Sequence, residues 1–193
     1  MSTMTDTRAC APLAGAQQQP DLQGHLPHDT KALRNALGCY PTGIAIVTCR
    51  NAEGRAVGLT INSFASLSLD PPLVLWSLVN RSPSLQAFSQ CDHFGINVLA
   101  AGQAELARFF ATSAVADKFA HAQSFDSPEG TPLIPASLAS FVCSREQFQA
   151  GGDHTLFVGR VLRYYTGGGD PVVFHRGQFT QLAPAVSCSR PDC

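Results

Sequence analysis

Residues 58–69 set small polar side chains beside apolar ones: Thr60, Asn62, Ser63, Ser66 and Ser68 alternate with Leu59, Ile61, Phe64 and Leu67. Such a surface matches a flat amphipathic heterocycle. An isoalloxazine is one, with an apolar benzenoid edge and a pyrimidine edge of neutral donors and acceptors. The same pattern also describes a half-exposed strand with Ser and Thr facing water. One strand later, Arg81, Ser82, Pro83 and Ser84 combine a guanidinium, two hydroxyls and an expected helix start, with Ser as cap and Pro at the first helical position. These groups together can take a phosphate without a P-loop, although a capped helix beside a surface Arg reads identically. His154 follows Gly151-Gly152-Asp153 at the mouth of a strand, where an imidazole could reach a ligand and titrate near neutral pH. It is one of six histidines, and an uninvolved surface His is the ordinary alternative.

Other chemistries lose support. The chain has no G-x-G-x-x-G after a strand, no G-x-S-x-G elbow, no G-x-x-x-x-G-K-[ST] and no H-E-x-x-H. Its seven cysteines include no C-x-x-C pair and no zinc spacing, so they read as reduced thiols and no metal site is expected. A net charge of -1 with 14% charged residues offers no nucleic-acid footprint. The low charge fraction instead suggests a surface partly hidden in a subunit contact. Without a secretory signal or an apolar stretch of about 18 residues, no membrane anchor is expected and a cytoplasmic location follows.

These groups need elements to position them. Residues 1–27 are rich in Ala, Gln, Pro, Thr and Gly without periodicity and read as a disordered arm; residues 28–183 form one domain, and 184–193 a tail. Asp29 can cap a short lid helix with Ala32, Leu33, Ala36, Leu37 and Tyr40 on one face. Strands are expected over 43–49, 56–69, 73–79, 93–99, 139–147, 155–165 and 172–182, the first two as a hairpin and the last two joined by the turn 167–171. Short helices follow Ser82 and cover 103–110, and a loop runs to about Leu133. Short turns and few helices favour a mainly β antiparallel barrel over a doubly wound sheet.

Leu33–Thr48, Gly58–Leu75, Phe94–Leu99, Gly152–Val161 and Asp170–Leu182, taken in this order, resemble the short-chain flavin reductases of two-component monooxygenases. That resemblance implies a Greek-key split β-barrel with a few short helices, assembled as a homodimer with flavin near the subunit contact. It implies an NAD(P)H:flavin oxidoreductase that transfers hydride from nicotinamide C4 to flavin N5. FMN or FAD is the flavin, NADH or NADPH the co-substrate, and a monooxygenase served by diffusing reduced flavin the partner. Carried over by position, Thr42, Thr60, Ile61, Asn62, Ser63, Ser66 and Leu67 line the isoalloxazine. Arg81, Ser82, Ser84, Phe110 and Lys118 take the phosphate region, His154 acts at the nicotinamide as the catalytic residue, and Phe174 to Phe179 form its crevice wall. Ile61 stands where Ala is usual, Pro83 lies in a variable loop, and Phe179 replaces a frequent Tyr. A split-barrel oxidase or corrinoid reductase with tightly bound flavin, a non-catalytic flavin-binding protein and a structural interaction protein are the rival readings.

Overall fold

The computed structural model describes residues 30–113, 115 and 117–183; the expected arm, the expected helix cap Asp29 and the tail lie outside them. Helix α1 covers Thr30–Leu37, followed by strands β1 (Thr42–Gly43), β2 (Ala45–Arg50), β3 (Ala56–Ile61), β4 (Ala65–Leu69) and β5 (Pro72–Val79). Then come α2 (Leu85–Gln90), β6 (His93–Val98), a single 3-10 turn leading into α3 (Ala104–Ala111), and β7 (Phe125–Asp126) with β8 (Pro132–Leu133). Strands β9 (Ala139–Gly151), β10 (His154–Thr166), β11 (Val173–His175) and β12 (Gln178–Thr180) complete the chain. No helix among the described residues is long and apolar enough to cross a membrane.

Seven strands form one antiparallel sheet in the order β3-β2-β6-β9-β10-β5-β4. Its two edges, β3 and β4, are consecutive in the chain and joined only by Asn62, Ser63 and Phe64. That link spans at most about 14 Å, whereas the edges of a flat seven-stranded sheet lie about 29 Å apart. The sheet is therefore curled into a barrel. It is a split one, because β3 and β4 share no ladder. Sequence periodicity predicts a single strand over 56–69, and the structure divides it between opposite edges. The alternation continues through the break, so periodicity alone carries no sign of the crossing.

Strand β2 is buried on both faces. Its Ala45, Val47 and Cys49 point into the barrel with Ile61, Trp76, Phe94, Ile96 and Phe157. Its other face, with Ile46, meets Phe110, Ala107 and Leu99 under α3. Inside, the Trp76 and Phe157 rings are stacked at 4.5 Å, and Phe88 and Phe94 meet Trp76 edge-on at 5.0 and 5.8 Å.

Several elements differ from expectation. The turn 167–171 does not pair β10 with the segment after it; β11 lies on β1 instead, with Thr42 opposite Phe174. The expected strand 172–182 folds back on itself as the tight hairpin β11–β12, because the turn-forming Arg176-Gly177 interrupts it. The loop before Leu133 holds the small β7–β8 hairpin, and β9 runs four residues and β10 one residue past their expected inner ends to a two-residue turn. Gly152 has φ +67 there while Asp153 does not, the pattern of a II′ turn, which turns strand edges sharply enough to place His154 at the end of the barrel. Helix α1 forms but buries no residue.

Candidate functional site

Because β3 pairs only with β2, its other edge is open. That open edge and α2 face each other across a cleft of about 520 Å³, with Lys118 and Phe119 closing one end. Gly58 makes the wall possible: a Cβ there would lie 2.8 Å from the Phe110 ring and 3.2 Å from Phe119, so only glycine admits these aromatics. Lys118 reaches in from the same side, donating from Nζ to Phe110 O at 2.7 Å and Gly58 O at 3.3 Å. An ammonium has three donors, so one is left for the cleft. Burial holds the Lys118 pKa below the usual lysine range, since the charged form is partly stripped of water.

Ser84 stands opposite on α2. It is the N-cap residue, yet its hydroxyl makes no capping bond. The helix thus starts two residues later than expected, since Ser82 and Pro83 belong to a turn in which Leu85 N donates to Ser82 O at 3.1 Å. Ser82 Oγ is engaged there, accepting from Ser84 N at 3.3 Å. Of the cleft's lining residues only Glu53 is acidic, and Arg55 pairs with it at 3.6 Å. A cation, a free hydroxyl and an open strand edge form a donor set that fits a phosphorylated neutral heterocycle, and no metal is needed to hold it.

His154 lies at the far end of β5, opposite Val79. Its Nδ1 is 2.7 Å from Asp153 Oδ1. That contact, with a smaller contribution from Arg81, holds the Asp153 carboxyl below the usual range. Asn80 ties the strand end to the turn: its N donates to Asp153 O at 2.9 Å, its Nδ2 to Gly152 O at 3.2 Å, and its Oδ1 accepts from Thr155 Oγ1 at 2.8 Å. The turn that carries His154 is thereby held against the strand that leads to Arg81.

The remaining expected residues part company. Thr60 donates to Ala107 O at 2.7 Å and so spends its hydroxyl on α3, while Ile61 packs inside the barrel. Ser63 is spent on the backbone of Ser77. Phe110, on the inner side of α3, is fully buried, so it shapes the cleft wall from behind instead of facing a phosphate. Asn62 is exposed at the link between the edges, and Ser66 and Leu67 sit on β4. Thr42 Oγ1 is buried without a hydrogen-bond partner among the described residues. Phe174 and Phe179 form an edge-on pair at 5.9 Å, with the Arg108 guanidinium over Phe179.

Sequence reasoning missed Asn80 and Asn97. Asn97 is fully buried: its Nδ2 donates to Ile46 O, and its Oδ1 accepts from Ile134 N and Ser140 Oγ, each at 3.0 Å. A polar residue inside an otherwise apolar strand run is its one visible signal.

The flavin reductase like domain model matches residues 37–183. The FMN reductase (NADH) SmoA of Agrobacterium fabrum is 45% identical over 161 residues, 80% of this chain and 87% of its own. The flavin-dependent monooxygenase reductase subunit HsaB of Rhodococcus jostii is 38% identical over 164 residues, covering 84% and 83%. Among solved structures, the NADH:FAD oxidoreductase SgcE6 of Streptomyces globisporus superposes with a TM-score of 0.78 at 33% identity, covering 86% of this chain and 100% of that one.

Proposed function

This chain belongs to the flavin reductase like family, and from that premise we propose that its cleft holds the phosphate arm of the flavin it reduces. The protein is an NAD(P)H-dependent flavin reductase, taking FMN or FAD as flavin and serving a flavin-dependent monooxygenase. The observation that carries the placing is the pairing of Lys118 and Ser84 across one cleft, each with a donor to spare.

Bound flavin supplies the acceptor for a hydride leaving C4 of the dihydronicotinamide. The protein's task is to hold the two rings together and exclude water. Lys118 and Ser84 anchor the phosphate, and the open edge of β3 offers backbone donors and acceptors along the arm. Thr42 Oγ1 hydrogen-bonds the ring edge, and Asn62, exposed where β3 ends, supplies an amide beside it. His154, fixed by Asp153, orients the nicotinamide. No proton need be abstracted, so no general base is required.

The working protein is a homodimer. An eight-residue helix is too short to persist alone, yet α1 leaves its apolar side open, with Leu37 67% exposed and Tyr40, just past the helix end, 78% exposed. Leu69 at 93% and Tyr164 at 68% add to the apolar surface that a second copy would cover. Light scattering on purified protein reads the mass directly, and a monomer at micromolar concentration would refute the dimer. The placing of the flavin is tested by steady-state assays crossing both nicotinamides with both flavins. In these, Lys118→Gln should raise the flavin KM about tenfold and spare the NADH KM. An unchanged flavin KM would remove Lys118 from the site.

A further inference from the structure

Two thiols meet inside the barrel beside the last turn of α2. Cys49 is fully buried on the inner face of β2, opposite Phe94 of β6, and Cys91 is the residue that ends α2 just before that strand. Both belong to the buried cluster around Trp76, and the two thiols are hydrogen-bonded to each other. Cys91 is the outer of the two. It lines a cavity of about 340 Å³ together with Asp92, His93 and Thr131, which is ample for molecules little larger than water. Its Sγ donates to Phe88 O at 3.4 Å, and its carbonyl accepts from Arg145 Nε at 2.8 Å, which brings a guanidinium close to the sulfur. The bond from Cys49 holds the Cys91 pKa below the usual thiol range against the cost of burial, with Arg145 assisting, and the same contact pushes Cys49 up. A thiol that ionises readily and faces a cavity, touching a second that keeps its proton, is the arrangement of an attacking and a resolving cysteine. Neither lines the flavin cleft.

The oxidant follows from the activity itself. Reduced flavin that no monooxygenase consumes passes two electrons to dioxygen, giving oxidised flavin and hydrogen peroxide. We propose that Cys49 and Cys91 are a peroxide-sensing pair that closes to a disulfide when reduced flavin is made faster than it is used. The Cys91 sulfur attacks one peroxide oxygen; an S–O bond forms, the O–O bond breaks, and hydroxide leaves as water with the thiol's proton. The Cys49 sulfur then attacks the Cys91 sulfenic acid; the S–S bond forms, the S–O bond breaks, and the second hydroxide leaves as water with the Cys49 proton. Two thiols have lost two electrons, and one peroxide has become two waters. The bridge draws the sulfurs to about 2.05 Å and pulls the end of α2 toward β2. Gln90, the last residue of α2, lines both this cavity and the flavin cleft, and Ser84 starts the same helix. Closure therefore reshapes the cleft wall and weakens flavin binding, so that reduced flavin is made more slowly once its use fails. The effect on flavin rests on the flavin lying in the cleft, whereas the bridge itself does not.

The test uses the full chain, reduced, freed of reductant, exposed to hydrogen peroxide, blocked with N-ethylmaleimide and mapped as peptides without reduction. A peptide pair linked through Cys49 and Cys91 is expected, and the oxidised protein should show a flavin KM raised about fivefold or more, reversed by dithiothreitol. Aerobic turnover with NADH and FMN alone should build the same link, and catalase should suppress it. In Cys49→Ala the reaction should stop at a Cys91 sulfenic acid that dimedone traps. No linked peptide at a peroxide level that oxidises the exposed Cys39 overturns the proposal, as does a link that forms equally with catalase present. A link that leaves the flavin KM unchanged overturns the control through α2. Lys118→Gln on the reduced protein tells that result from a misplaced flavin, since only a misplaced flavin leaves the KM of this variant unchanged as well.

Discussion

Ser63 Oγ donates to Ser77 O at 3.1 Å and accepts from Ser77 N at 3.0 Å. One hydroxyl thus satisfies both backbone groups of a β5 residue that β4 does not reach, since the β4–β5 ladder ends at Ala65 and Leu75. The side chain takes the place of a missing strand. Ser63→Ala should leave both groups unpaired and cost about 1–3 kcal/mol in urea unfolding. If stability holds and flavin affinity falls instead, Ser63 is a ring contact and not a staple.

With His154 orienting the nicotinamide as proposed, its replacement by Ala should lower turnover by about tenfold or more while the flavin Kd stays within about twofold. Stopped-flow reduction under saturating NADH reads this directly. Equal kinetics in variant and native protein would end the assignment.

Lys118 should give two opposite pH slopes. Its folded pKa lies below the ordinary value of 10.5. Between the two the unfolded chain binds more protons, and stability rises with pH across that window. With the flavin phosphate held by the Lys118 ammonium as proposed, flavin affinity should fall across the same window. Both slopes should flatten in Lys118→Met; persistence of either would mean that another group titrates.

Asn97→Ala removes four hydrogen bonds inside the fold at once, to Ile46 O, Thr48 Oγ1, Ile134 N and Ser140 Oγ. The loss should be about 3 kcal/mol or more, because Ile46 O, Ile134 N and the Ser140 hydroxyl are stranded away from water. Thermal unfolding compared with Asn97→Asp would show it, and a loss below about 1 kcal/mol would mean that water replaces the amide.

Thiol labelling should follow burial. Among the described cysteines Cys39 is exposed, whereas Cys143 is buried and desolvation pushes its pKa up to about 12. Iodoacetamide near pH 8 should modify Cys39 in the native state and Cys143 only after denaturation. Early loss of the Cys143 thiol would reveal local opening of β9.

The sequence made most strands legible, because their apolar residues recur with a period of two or fill both faces, as in β2. The division of 56–69 was hidden, since Asn62-Ser63-Phe64 keeps the alternation while the chain crosses from one sheet edge to the other. At the site, residue types are legible in the sequence and their partners are not. Thr60 and Ser63 were legible as hydrogen-bonding groups, but only packing shows that α3 and β5 already use them. Lys118 and Ser84 line one cleft from distant segments of the chain, a juxtaposition that spacing cannot reveal.

The barrel closure also governs assembly in time. The hairpins β2–β3, β4–β5 and β9–β10 can zip locally, but the ladders pairing His154 with Val79 and Phe94 with Cys143 must wait for distant parts of the chain to meet. Such non-local pairing places the fold among slow folders. Until β10 reaches β5, the nascent chain shows several unpaired strand borders at once, so its yield should depend on expression rate and temperature more strongly than its final stability would suggest.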